Sequence, residues 1–360
     1  MDPRQATVLL QYNGVNASGQ IAPCLSSFQY KDVASGSSDS ISLELNDRDQ
    51  RWLGPWFPQK GDLLQPTIRT RNWSGDGQQL DFPCGTFRVD DFSFSGGPVR
   101  LRMEAAAVPA DGSGFKATER TETYEATSLA EIGRIITARA GMDLFFEAED
   151  VTIEKTEQSQ QNDCAFYTGL VETFGLAAKI YDDRLVVFSE ADYEAKAPKV
   201  ILTPADFDPG WSWHTEVTGT YTGVRYQYTN SEKNKTFTVT AGGGGRILIV
   251  NEPADNLTEA TAIALAALNR ANRGTTTMRL TMMARPGLIA SDCVEIQGLQ
   301  RIDGKYYIDQ ITQSIGSGYT MALDLRRVEQ RITAASSISS TVSEGGEAYG
   351  YPANREDLQH

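Results

Sequence analysis

Two stretches of this sequence decide the fold: GTFRVDDFSFS at residues 85–95 and GKYYIDQITQS at residues 304–314. In both, a glycine precedes a run in which apolar and polar side chains alternate, the pattern of a strand with one buried face. A second alternating run follows each of them after a glycine-containing turn, at residues 101–105 and 321–325. The sequence therefore predicts the same β-hairpin twice. The matching pairs are Gly85/Gly304, Phe87/Tyr306, Val89/Ile308, Asp90/Asp309, Phe92/Ile311, Ser93/Thr312 and Ser95/Ser314.

Two interpretations of this similarity are open. Any two amphipathic hairpins look alike, because strands reuse Val, Ile, Phe and Tyr for packing. The pair Asp90/Asp309 favours a duplication instead, since nothing in an amphipathic strand requires Asp at that position. We therefore expect two related β regions, one on each side of an insert.

The pattern of the chain changes near residues 116 and 200. Residues 1–115 alternate as strands, with turn signals between them, and favour a β barrel or sandwich. Residues 116–200 are the most acidic part, with 9 basic and 17 acidic side chains, and show helical periodicity. Residues 201–330 return to strands around one Ala-rich helix. Residues 331–360 are rich in Ser, Gly, Ala and Thr, a composition that predicts a flexible tail. From the three preceding segments, the expected class of the chain is α+β, mostly β.

Helix signals in the middle segment are specific. Ser128 and Glu131 form a capping box before an apolar stripe, and Gly141 ends that helix. A second helix is predicted from residue 162 or 163 to Gly175, followed by a hairpin that turns at residues 182–183.

The third segment contains one helix, predicted over residues 257–273. The glycine run at residues 242–245 lacks the GxxxxGK[ST] spacing of a phosphate loop. We expect it to be a mobile hairpin loop between strands at 236–240 and 247–250.

Composition excludes several classes of function. A net charge of −14 argues against sequence-specific nucleic-acid binding, which depends on basic side chains that neutralise phosphates. Only His214 and His360 are histidines, and the four cysteines are at least 60 residues apart without a CxxC pair, so no metal site and no cofactor are expected. No basic segment leads into an apolar signal core, and no apolar stretch approaches the about 20 residues that span a bilayer. The expectation is a soluble protein made inside the cell, without a signal peptide and without direct membrane insertion.

A catalytic constellation is not apparent either. The carboxylates at residues 90–91 lie on a predicted strand, where neighbouring side chains point to opposite faces. Those at residues 182–183 lie in a predicted turn. No GxSxG motif is present, and His214 falls in an aromatic run. We expect no enzymatic activity.

Aromatic residues mark the best candidate for an interface. Trp52, Trp56 and Phe57 lie in a Gly/Pro loop before Lys60-Gly61-Asp62. Exposed aromatic side chains of this size are uncommon on a monomer surface, so these three are predicted to contact another subunit or a partner protein.

Taken together, these segments resemble the phage late control protein D family, the hub proteins of contractile-tail baseplates. The resemblance spans most of residues 35–330, and no single piece is decisive, but the order of the pieces is specific. The matching pieces are residues 41–49, 52–58, 60–62, 128–141, 158–166, 175–176, 185–188, 303–309 and 318–326.

This resemblance implies a homotrimer in which each chain supplies two β-barrel tube domains, so that three chains present six to the hexameric tail tube. The implied partners are the tail tube protein, the trimeric central spike and other baseplate proteins, and the implied location is the virion or a related injection particle. The competing hypothesis, of another class, is a carbohydrate-binding or carbohydrate-cleaving β protein at a cell surface, because aromatic side chains also stack on sugar rings. That hypothesis leaves the repeat unexplained.

Overall fold

The computed structural model of the 360-residue chain describes residues 3–73, 75–107, 112–216, 220–333 and 338–344. Of these described residues, 49% are in strands and 17% in helices, which confirms the α+β, mostly β class. The chain divides into two compact bodies. We name residues 1–218 with 273–330 the larger body, and residues 219–272 with 331–360 the smaller body.

Twenty-three strands are formed by the described residues. They are β1 (Gln5–Tyr12), β2 (Val15–Asn16), β3 (Leu25–Val33), β4 (Ser40–Asn46), β5 (Leu63–Arg71), β6 (Gln79–Pro83), β7 (Phe87–Ser95), β8 (Arg100–Ala106), β9 (Glu119–Ser128), β10 (Asp143–Glu147), β11 (Thr152–Asn162), β12 (Ala177–Tyr181), β13 (Arg184–Phe188), β14 (Val200–Leu202), β15 (Ser212–Thr215), β16 (Gly223–Asn230), β17 (Lys235–Gly242), β18 (Ile247–Val250), β19 (Thr276–Met283), β20 (Cys293–Ile296), β21 (Gly304–Ile315), β22 (Tyr319–Arg327) and β23 (Ile338–Glu344).

Six α-helices and one short 3₁₀ turn accompany these strands in the described residues. They are α1 (Ser18–Ile21), α2 (Gly112–Ala117), α3 (Leu129–Arg139), α4 (Asp163–Thr173), α5 (Glu190–Ala195), α6 (Leu257–Asn272) and the 3₁₀ turn Gln300–Ile302. No helix in the described ranges is long and apolar enough to cross a membrane.

One 14-stranded sheet runs through the larger body. Its main path is β15-β19-β22-β21-β3-β4-β8-β7-β5-β1-β2, with β20, β14 and β6 paired to strands on that path. A single apolar core draws side chains from both halves of the path, including Leu43, Phe87, Leu280 and Ile311. The two predicted β regions are therefore joined by strand pairing between β3 and β21 instead of standing as separate domains, because β3 has a neighbour on each side.

The middle segment forms a separate core within the larger body. Ser128 accepts a hydrogen bond from the Glu131 amide (3.3 Å) at the start of α3, and Asn162 accepts one from the Ala165 amide (2.8 Å) at the start of α4, so both predicted helices are confirmed. The predicted hairpin is also present as β12 and β13, and β10 adds to it in parallel. Strands β9 and β11 form a two-stranded ribbon.

Lys179 of β12 docks this segment on the large sheet. Its ammonium group lies 2.9 Å from Asp32 and 3.3 Å from Asp39, and it donates to the Val33 carbonyl (2.8 Å). Burial alone would lower the pKa of Lys179, but the two carboxylates outweigh it and raise the pKa. Burial raises the pKa of Asp39 to about 6 despite the nearby lysine. A buried charge cluster therefore sits where the two cores meet.

The smaller body corrects two predictions about the third segment. Strands β16, β17, β18 and β23 form its sheet, and α6 packs against that sheet. Residues 219–272 therefore belong to the smaller body and not to one domain that spans residues 201–330, as was predicted. Part of the predicted flexible tail, 331–360, is ordered as β23, which pairs antiparallel with β17. Backbone hydrogen bonds can hold such an edge strand although its composition is polar. Residues 345–360 lie outside the described residues.

The glycine run is not a hairpin loop as predicted. Strand β18 pairs in parallel with β16 and not with β17, so residues 243–246 carry the chain across to the far side of β16. Gly242, Gly243 and Gly244 all have positive φ, a conformation that favours glycine. The crossing was invisible in the sequence because a glycine-rich connection is compatible with both arrangements.

Candidate assembly interface

The two predicted hairpins share one register. Val89 faces Ala105 in the first hairpin, and Ile308 faces Leu325 in the second. In both, the register shifts by one residue immediately afterwards. The residue at the shift is Asp90 in β7 and Asp309 in β21, so the matched Asp pair marks the same β-bulge twice. The hairpin repeat predicted from the sequence is confirmed.

A turn before each hairpin is also duplicated. Asp62 accepts a hydrogen bond from the Gln59 amide (2.7 Å), and Asp292 accepts one from the Ile289 amide (2.9 Å). The two turns lie 230 residues apart, as the Asp numbers show. In each turn the Asp amide also donates to the carbonyl of that same residue, Gln59 or Ile289 (3.2 Å in both), so the first and last residues of the turn are bonded reciprocally.

The same turns bind the hairpins through equivalent backbone bonds. The Gly61 amide donates to the Val89 carbonyl (2.8 Å), and the Ser291 amide donates to the Ile308 carbonyl (2.9 Å). Both donors have positive φ, 89° at Gly61 and 77° at Ser291. Sequence comparison missed this correspondence because Ser replaces Gly in a conformation that usually favours Gly.

Two outer strands complete each copy. Strand β4 pairs with β8 as β19 pairs with β22, and β5 meets β7 as β20 meets β21. We name β4, β5, β7 and β8 the first repeat, and β19, β20, β21 and β22 the second repeat. The buried positions of β4 and their equivalents in β19 are Ile41/Met278, Leu43/Leu280 and Leu45/Met282.

The bulge residues have different surroundings in the two repeats. Asp309 accepts a hydrogen bond from Arg326 (2.8 Å), whose side chain is only 4% exposed and also pairs with Glu190 and Glu194 of α5. The guanidinium lies 4.1 Å from the centre of the Tyr307 ring. Burial raises the pKa of Asp309 even though Arg326 opposes the shift. This cluster anchors α5 to the second repeat.

No counterpart of this cluster exists in the first repeat. Arg326 is paired with Tyr307 in the second hairpin, and Ala106 is paired with Arg88 at the same place in the first, so Ala106 is the equivalent of Arg326. Asp90 is exposed and forms no ion pair among the residues that the structure describes. The first repeat therefore keeps the bulge without the charge cluster.

The predicted aromatic interface lies in the first repeat. The connection between β4 and β5 has 16 residues (47–62), against nine (284–292) between β19 and β20, and this longer connection carries the three aromatic residues. Asp47 holds the loop by accepting hydrogen bonds from the amides of Trp52 (3.1 Å) and Leu53 (2.9 Å). Trp52 is only 5% exposed, because it packs between Tyr12 and Trp56. Its burial within the chain makes it a poor contact for a partner.

Phe57 is the accessible member of the three. Its side chain is 52% exposed, and its ring lies 5.5 Å from both Phe92 and Phe94 of β7, stacked on the latter. Trp56 is half-buried, with the Arg51 guanidinium 5.3 Å from its ring. We name Phe57, Phe92 and Phe94 the aromatic edge. The sequence alone did not indicate that β7 contributes two of its members.

A cleft of about 560 Å³ lies beside this loop. Tyr12, Trp52, Trp56 and Asp62 are among its lining residues. Hydrogen bonds from Asn13, Tyr12 and the Gln59 amide outweigh the effect of burial and lower the pKa of Asp62. The Trp52 and Trp56 rings meet at 76°, so they do not form a flat platform.

The remaining candidates do not converge. His214 is exposed on β15, and Asp182 and Asp183 occupy the β12–β13 turn with positive φ. In the described ranges, no three His, Cys, Asp or Glu side chains are arranged to hold a metal ion.

Comparison with known proteins places the fold. No family model matches the chain, and no curated protein matches it by sequence. The tail protein from Neisseria meningitidis MC58 is similar in structure with a TM-score of 0.67 at 13% identity, covering 89% of this chain and 96% of that one. The 43 kDa tail protein of prophage MuSo2 from Shewanella oneidensis gives 0.67 at 13% identity, covering 90% and 98%.

A component of the Escherichia coli type VI secretion system, itself similar to the T4 tail proteins gp27 and gp5, gives a TM-score of 0.53 at 10% identity. The alignment covers 86% of this chain and 75% of that protein. The chain thus has the fold of phage tail proteins and of this secretion-system component.

Proposed function

We propose that the chain is a structural hub of a contractile phage tail or a phage-derived injection particle, of the late control protein D type. In this proposal three chains form a ring that joins the hexameric tail tube to the trimeric central spike. The role is structural and not catalytic, and it is carried out in the tail baseplate.

The duplicated sheet unit is the observation that carries this proposal. Two repeats with one register, one bulge position and one turn give each chain two equivalent sheet units. Three chains would then present six such units, which resolves the mismatch between a threefold spike and a sixfold tube. The fold shared with tail proteins supports the same assignment.

The aromatic edge supports a protein partner. The exposed Phe57 ring lies 5.5 Å from each of the half-buried Phe92 and Phe94 rings. A partner protein that covered this cluster would remove apolar surface from water, and aromatic residues are enriched at the centres of interfaces. The carbohydrate alternative has weaker support, because the most buried tryptophan cannot stack on a ligand and the Trp52 and Trp56 rings are steeply inclined.

Sedimentation of the purified full-length chain, alone and mixed with the tail tube protein from the same genome, tests the proposal. We expect a species with the mass of three chains that binds the tube protein. A chain that stays monomeric at all concentrations and in the presence of tube protein would overturn the hub proposal. Binding to a panel of bacterial polysaccharides, with no self-association, would favour the carbohydrate alternative.

A further inference from the structure

The internal junction between the two repeats shows how one repeat meets the next. Strand β3 pairs antiparallel with β21, from Gln310 opposite Val33 to Ile315 opposite Phe28. On its other side β3 pairs with β4. Strand β3, which flanks the first repeat, therefore covers the outer edge of the hairpin in the second repeat.

The equivalent edge in the first repeat is open. Strand β7 pairs with β8 along its length, but its other side pairs with β5 only at Phe87 and Arg88. From Asp91 to Ser95, no strand in the described ranges pairs with the outer side of β7. These residues correspond to Gln310 through Ser314 in β21, which are the ones that pair with β3.

The second repeat has a strand equivalent to β3, and its edge is open too. Tyr30 of β3 faces Ile41 of β4, and Trp213 of β15 faces Met278 of β19. Since Ile41 and Met278 are equivalent, β15 takes the place of β3. Strand β15 is the end of the sheet path among the residues that the structure describes.

We propose that β15 of one copy pairs antiparallel with residues 91–95 of β7 in a second copy, which repeats the β3–β21 junction between chains. This inference rests on the proposed ring and names the surface that closes it. Each chain has one edge of each kind, so the contact is head-to-tail and closes a ring when the rotation between copies allows it.

The register follows from the internal junction. Thr312 of β21 faces Lys31 of β3. Ser93 is the equivalent of Thr312, and His214 is the equivalent of Lys31. The same pairing between chains therefore puts Ser93 of one chain opposite His214 of the next. In the same register Phe94 falls opposite Trp213, where the internal junction has Gln313 opposite Tyr30.

Side-chain character suits this register. Ser93, Ser95, Ser212 and His214 are exposed, whereas Phe92, Phe94 and Trp213 are half-buried, so polar side chains meet on one face and aromatic ones on the other. Cross-strand aromatic pairs stabilise antiparallel sheets. In this register Trp213 of one copy lies beside Phe94 of the aromatic edge in the other.

One contact in the register is unfavourable. Asp91 falls opposite Glu216, both exposed, at the end of the ladder. Like charges directly opposite each other destabilise a strand pair. The variant Asp91→Asn is therefore expected to tighten association between copies severalfold, whereas a junction elsewhere would leave association unchanged.

Cysteine crosslinking of the full-length chain tests the junction. A chain with Ser93→Cys is mixed with a chain with His214→Cys and treated with a short bismaleimide. We expect crosslinked dimers to rise about tenfold over either variant alone, because facing side chains in an antiparallel pair have Cβ atoms about 5 Å apart. The parental chain with its four native cysteines sets the background.

Two controls use the same chemistry. A chain with both Lys31→Cys and Thr312→Cys should crosslink within itself, since that pair forms the internal junction. A mixture of Ser93→Cys and Thr281→Cys chains should stay at background, because the backbone of Thr281 is already engaged, by Ala322 of β22 on one side and by the Asp208 amide on the other.

The outcomes separate the junction from the ring. A trimer without Ser93–His214 crosslinks overturns the junction and leaves the hub proposal standing. Crosslinking of Ser93→Cys chains to each other at the level of the mixture also overturns it, since β7 would then pair with β7. A chain that never associates overturns both proposals.

Discussion

The two repeats have the same backbone and different neighbours. Both form the same hairpin, with a bulge at Asp90 or Asp309, and both are held by a turn closed by an Asp side chain. The second repeat adds a buried charge cluster around Arg326, whereas the first adds a longer loop that carries Phe57. The two repeats therefore share one hydrogen-bond frame and differ in the side chains and loops attached to it.

We expect the largest change in stability when Arg326 is replaced. Replacing it in Arg326→Met leaves Asp309, Glu190 and Glu194 close together in a buried site, and we expect a loss of about 3–5 kcal/mol in the free energy of unfolding. Urea denaturation measures this loss. The matched variant Asp90→Asn, at the bulge without a cluster, should change stability by no more than about 0.5 kcal/mol. Equal effects at the two bulges would contradict the distinction.

The duplicated turns give the next largest effect. We expect Asp62→Ala and Asp292→Ala each to cost about 2 kcal/mol, because each removes a carboxylate that accepts hydrogen bonds from the chain. Asp→Asn at either site keeps an acceptor oxygen and should cost less. If only one of the two Ala variants is destabilised in denaturant, the turns are not energetically equivalent.

The pH dependence of two aspartates should run in opposite directions. The pKa of Asp62 is lowered in the fold, so its stabilisation is present above the pKa of the unfolded chain and is lost as the pH falls. The pKa of Asp309 is raised, so its contribution is greatest at low pH and is lost as the pH rises through the folded value.

The free energy of unfolding of the parent chain, of Asp62→Asn and of Asp309→Asn measures this difference as a function of pH. A range from about pH 3.5 to about pH 7 covers the ordinary pKa of Asp and the values above it. The stability deficit of Asp62→Asn should grow with pH, and that of Asp309→Asn should shrink. Parallel profiles would show that the two carboxylates share one environment.

The smallest effect on stability is expected in the longer loop. Phe57→Ser should cost less than about 1 kcal/mol, because the side chain is half exposed, but it should weaken association of copies about tenfold if the aromatic edge is an interface. Sedimentation equilibrium measures the association. Ile289→Ser, in the shorter loop of the second repeat, is the control and should leave association unchanged.

Much of the local structure was determined by the sequence itself. The N-cap residues and the apolar stripes predicted where α3 and α4 begin. Each cap, Ser128 or Asn162, accepts a hydrogen bond from an amide only three residues further along the chain. Alternation predicted both hairpins, and the matched Asp pair indicated their duplication, whereas the β-bulge at that position was seen only in the structure. These features depend on neighbours in the chain, so a linear pattern records them.

Only the tertiary structure decided which strands meet. The pairing of β3 with β21 joins residues nearly 300 positions apart, and β23 pairs with β17 despite its polar composition. Arg326 and Glu194 of α5 are 132 positions apart, and Trp52 is buried against Tyr12 of β1. Backbone hydrogen bonds are the same for every residue type, and a buried charge is recognised only by the partner that folding brings to it. Sequence periodicity therefore determined the elements, and long-range contacts determined how they are arranged.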